Sequence, residues 1–62
     1  MSVKRKDLVR YFEEHGFHLI REGGNHSIYS NGPVTIPIKR HTHIDRITAN
    51  MICKQAGLDP KF

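Results

Sequence analysis

The chain has 62 residues, a formal net charge of +4, five histidines outside that count and one cysteine. That length leaves room for one domain, which buries only about 60% of its unfolded surface, so the core is small. An internal disulfide is excluded, and the apolar runs are far too short for a membrane span of about 20 residues.

The charged start "MSVKRKDL" has no hydrophobic stretch behind it, which leaves the cytoplasm as the expected location. The basic excess points to an anionic partner, either nucleic acid or an acidic protein.

From Lys4 to His15 the apolar residues Leu8, Val9, Tyr11 and Phe12 fall at helical spacing, and Gly16 is placed to end the helix. "FHLIRE", "HSIYSN" and "VTIPIK" then read as three short strands, rich in β-branched and aromatic residues and separated by "GGN" and "NGP". Asn31-Gly32 is a hairpin signal. Pro37 cannot donate to a ladder, which puts the third strand at a sheet edge. "KRHTH" reads as an exposed loop, and Asp45 as the N-cap of a second helix running to Ala56 and stopped by Gly57. Ala49, Ile52, Cys53 and Ala56 make its apolar stripe, and Cys53 is expected to be packed and reduced. The order α-β-β-β-α predicts an α+β domain: two helices on one face of a three-stranded antiparallel sheet, with the other face open.

His26 stands directly after the flexible Gly23-Gly24-Asn25 turn, where it is either an ordinary exposed residue or a group presented to a substrate. Strand parity puts His26 and Ile28 on one face, Ser27 and Tyr29 on the other. If Tyr29 packs under the helices, His26 faces the open side; the reverse would bury Ile28. Lys4, Arg5 and Lys6 crowd positive charge at a helix start, against the helix dipole, which favours an anion-binding role. His41 lies in a basic loop close after the third strand and is either a second catalytic group or a solvated phosphate contact. No Cys or carboxylate completes a zinc ligand set with His26, His41 and His43, so neither metal nor cofactor is expected.

In order and spacing, Gly16-Phe17, Arg21, Gly24-Asn25-His26, Val34-Thr35-Ile36-Pro37 and Lys54-Gln55-Ala56-Gly57-Leu58 resemble the motifs of the HicA toxins. Those are small ribonucleases of bacterial and archaeal toxin–antitoxin pairs. The resemblance implies a fold similar to a double-stranded-RNA-binding domain, metal-independent cleavage of messenger RNA, and neutralisation by a HicB-type antitoxin. It also implies that His26 is the catalytic residue. Asn25 replaces the serine usual in that turn; Asn tolerates left-handed backbone, so the turn is expected to survive without the hydroxyl.

The chemistry such an enzyme needs is modest. RNA carries its own nucleophile, and a histidine titrates near pH 6.5 when unperturbed, so His26 suits either the acid or the base role. Gly24 and Asn25 supply turn amides, and Arg21, Lys39 and Arg40 supply positive charge for the phosphate oxygens. Two other readings use the same residues: a non-catalytic RNA-binding module, and a protein-interaction domain whose basic surface and Pro37-bearing edge dock an acidic partner.

Overall fold

A computed structural model describes residues 2–62. A short strand, β1 (Ser2–Lys4), leads into helix α1 (Arg5–Glu14). Leu8 and Phe12, one turn apart, are fully buried with Tyr11 beside them, as the apolar spacing predicts. The helix begins at Arg5 rather than Lys4, because Lys4 is extended in β1 opposite His43. Its end is a Schellman turn in which the Gly16 N–H donates to Glu13 O at 3.1 Å and the Phe17 N–H to Phe12 O at 3.0 Å. Gly16 sits at φ 85°, backbone that a residue with a Cβ adopts only under strain. The turn brings Phe17 back onto Phe12, ring centroids 5.1 Å apart.

Strands β2 (His18–Gly23), β3 (His26–Ser30) and β4 (Thr35–Lys39) form an antiparallel sheet in the order β2-β3-β4. Pro37 is on the edge strand β4, where its missing donor interrupts no second ladder. Asn31-Gly32 opens a four-residue connection rather than a two-residue hairpin turn. In it the Asn31 Oδ1 accepts from the Val34 N–H at 2.9 Å, while the Asn31 N–H donates to Val34 O at 3.1 Å. The other edge, β2, is exposed throughout. Its register slips between Leu19 and Arg21, a bulge that leaves Leu19 49% and Ile20 59% exposed.

Tyr29, Ile36 and Ile38 on the covered face of the sheet join Leu8, Tyr11, Phe12 and Phe17 in the core. Helix α2 (Arg46–Gln55) adds Ala49 and Cys53, and burial pushes the Cys53 thiol above its ordinary value. Asp45 caps α2 as expected, accepting from the Ile47 and Thr48 N–H groups at 3.0 and 3.3 Å. The helix closes on a second Schellman turn, with the Leu58 N–H donating to Cys53 O at 2.8 Å across Gly57.

The feature outside the expected order is a second, two-stranded sheet. β5 (His43–Asp45) pairs antiparallel with β1, setting the buried Val3 opposite the buried Ile44. "KRHTH" is therefore not a loop throughout: Lys39 closes β4 and His43 opens β5, leaving only Arg40, His41 and Thr42 between them. The full order is β-α-β-β-β-β-α, and the expected α+β class with its three-stranded sheet and two helices stands.

Candidate active site

The β2–β3 hairpin turns on Gly24 and Asn25 alone, since Gly23 and His26 are the closing pair. Gly24 has φ 52° and no other residue of the turn has positive φ, the pattern of a type II′ turn with glycine at its first central position. Left-handed tolerance at Asn25, expected from the sequence, is not used: the demand falls on Gly24. The turn is tied to the end of β4 by the Arg40 N–H, which donates to Asn25 O at 3.2 Å.

Parity resolves as the packing of Tyr29 requires. Ser27 and Tyr29 are buried, whereas His26 and Ile28 are half-buried on the opposite face. Register then sets the neighbours. Lys39 lies directly across from His26 on β4, and Arg21, paired with Ile28, lies diagonally from it on β2. Side chains directly opposite have Cβ atoms about 4.5–5.5 Å apart, and diagonal ones about 7–8 Å, within reach of long basic side chains. His26 is thus bracketed by two cations on the open face. The only acidic residue in these strands, Glu22, pairs with Ser27 and belongs to the covered face.

That covered side holds a polar network which the sequence reading missed. The Ser27 hydroxyl, 2% exposed, donates to Glu22 Oε1 at 2.6 Å and accepts from Arg5 Nη2 at 2.8 Å. Arg5 Nε donates to Lys39 O at 2.8 Å, and the Arg5 N–H to Thr42 O at 2.9 Å. Arg40 completes the network with an ion pair to Glu22 Oε2 at 3.2 Å. Ser27 could have been found from the sequence, because it shares the parity of Tyr29; Glu22 follows once Gly23 and His26 close the hairpin.

The remaining candidates separate into groups. Arg5 is a strut between α1 and the sheet, and Arg40 is engaged with Glu22, so neither is a free cation on the His26 face. Lys4 and Lys6 are exposed and gather instead with Thr42 and His43 around a cleft beyond the end of β4. His41 is exposed in the β4–β5 connection. Among the described residues no three His, Cys, Asp or Glu side chains come together as a metal site, so His26, His41 and His43 are not gathered. No helix is long and apolar enough to cross a membrane.

A family model described as the HicA toxin of bacterial toxin–antitoxin systems matches residues 5–58. The chain belongs to the HicA toxin family. Neither the curated proteins nor the solved structures contain a match to it. The HicA match runs from the first residue of α1 to Leu58 in the closing turn of α2, so it takes in the whole three-stranded sheet and both helices. Membership makes this HicA-family protein the toxin side of a pair whose other member is an antitoxin.

Proposed function

We propose that this HicA-family protein is an endoribonuclease that cleaves messenger RNA by histidine acid–base catalysis and is held inactive by a HicB-type antitoxin. The observation that carries the reading is His26 on the open sheet face, half-buried at the mouth of a two-residue turn, with Lys39 opposite and Arg21 on the diagonal.

In the reaction the substrate's 2′-hydroxyl attacks the adjacent phosphorus and the 5′-oxygen leaves, giving a 2′,3′-cyclic phosphate and a 5′-hydroxyl end. One proton leaves the nucleophile and one reaches the leaving group, and an imidazole is suited to either transfer. Negative charge grows on the non-bridging oxygens, where Lys39 and Arg21 would stabilise it together with the Gly24 and Asn25 amides. With the nucleophile inside the substrate, these groups suffice without a metal. A carboxylate beside His26 would repel the phosphate; the pairing of Glu22 with Ser27 and Arg40 on the other face keeps that charge away.

General acid–base catalysis contributes on the order of a hundred- to ten-thousand-fold in rate. Purified protein free of antitoxin is therefore expected to cut RNA in the presence of a chelator, and His26→Ala to lose that activity while keeping its circular dichroism spectrum and melting transition. Cleavage retained by the folded variant sinks the assignment of His26, and a requirement for added metal sinks the mechanism. Salt-sensitive RNA binding with no cleavage by the wild-type protein would instead identify a non-catalytic RNA-binding module.

A further inference from the structure

Beyond the end of β4 the chain encloses an open cleft of about 450 Å³, lined by Lys4, Arg5, Lys6, Arg40, Thr42 and His43. Four of these six side chains are permanent cations, one is a histidine, and none is a carboxylate. Asp7, in the first turn of α1, lines the neighbouring clefts and not this one. Among the described residues neither Lys4 nor Lys6 makes an ion pair, whereas Arg40 is engaged with Glu22 and Arg5 with Ser27 and Lys39. The floor of the cleft is fixed, because the β1–β5 ladder sets Lys4 against His43 and the Arg5 N–H bonds Thr42 O. The cleft also receives the N-terminus of α1, whose N-cap residue Lys4 offers no side-chain acceptor to the first-turn amides.

Such a concentration of like charge is offset within the chain at Arg40 by Glu22, and is relieved further when an anion is bound. The position of the cleft identifies the anion. Lys39, opposite His26, is followed immediately by Arg40 in the cleft wall, and Arg5 spans the two by bonding Lys39 O. The open face and the cleft therefore meet at the end of β4.

We infer that this cleft is a second phosphate site, taking a backbone phosphate of the same single RNA strand whose reacting phosphate lies at His26, with Lys4 and Lys6 as its free cations and Thr42 and His43 as its polar wall. The inference rests on the endoribonuclease reading for the identity of the strand, but its binding chemistry is independent of cleavage. It gives the enzyme a handle on the substrate away from the scissile bond, which binding energy can use to orient the reacting phosphate.

The test is binding of a 2′-O-methyl oligouridine of about six nucleotides, which carries the backbone but lacks the nucleophile and so is not cut. Lys4→Gln/Lys6→Gln keeps the aliphatic stems and removes the charges. Lys54→Gln/Lys61→Gln, exposed and outside the cleft, removes the same charge elsewhere. The cleft variant is expected to bind on the order of ten-fold more weakly, with the salt slope reduced by about 0.7, the value for one lost phosphate contact on a single strand. The control is expected to change affinity by less than about two-fold, and backbone amide shifts of the wild type on titration should centre on Thr42 and His43.

Equal weakening in both double variants would overturn the inference in favour of diffuse charge attraction. Inorganic phosphate binding the wild type as tightly as the oligonucleotide would overturn it in favour of a free-oxyanion site. Either result stands apart from the His26→Ala cleavage assay, since the probe cannot react.

Discussion

At Gly24 and Asn25 two adjacent turn residues carry different physical demands. Gly24 is at positive φ with nothing within 4 Å of where a Cβ would sit, so its replacement is limited by backbone strain and not by crowding. Gly24→Ala is expected to destabilise the protein by about 1–2 kcal/mol in a urea titration, the cost of left-handed backbone for an L side chain. Asn25 is exposed with ordinary φ, and Asn25→Ser should stay within about 0.5 kcal/mol of wild type. Equal losses at both positions would contradict the turn geometry. His26 itself was legible as a candidate from its place after the turn; its two cationic neighbours were not, because they come from strands on either side and depend on register.

Helix α2 shows how much of an element rests on its ends. Ten residues with two fully buried side chains form a short helix, and helices of this length are marginal without caps and tertiary packing. Asp45 supplies the N-terminal cap and Gly57 the left-handed exit, both visible in the sequence as residue types at the right distance from the apolar stripe. Asp45→Ala is expected to cost about 1 kcal/mol, and in a domain of this size to lower the melting temperature by about 4–8 °C, while Asp45→Asn keeps most of the cap. A melting temperature unchanged in the alanine variant would show that the cap contributes nothing. The strands β1 and β5 had no such signature. Three residues with one apolar centre, Val3 or Ile44, are too few to display a period of two, and each is a strand only because the other lies beside it.

Across the whole molecule the two sheets are joined at the end where His26 sits, and Arg5 is the joint. Its guanidinium reaches Lys39 O and Ser27 Oγ, and its backbone N–H reaches Thr42 O, so α1, β3, β4 and the β4–β5 connection are tied through one residue. Charge reading assigned Arg5 to an anion along with Lys4 and Lys6, but three residues in a row on a strand–helix junction point in different directions. Arg5→Met, which retains the stem, leaves the Ser27 hydroxyl donating to Glu22 and removes only the strut. A loss of about 1–3 kcal/mol is expected, with faster amide exchange at residues 39–42. Unchanged stability and protection would mean that the connection is held without it. A domain with so small a core has little reserve against such losses.

The amino-acid sequence by itself determined the local elements and their ends: the α1 stripe of Leu8 and Phe12, the Gly16 and Gly57 exits, the Asp45 cap, the edge position of Pro37 and the α+β order. These depend on interactions within a few residues, which periodicity and residue type report directly. It also carried the spacing of motifs that marks the HicA family. Only the tertiary structure decided what stands beside His26, that Arg5 is a strut while Lys4 and Lys6 face a cleft, and that β1 and β5 exist. Each of these depends on how separate elements pair and pack, and a shift of one residue in strand register would send the strand side chains around His26 to the opposite face.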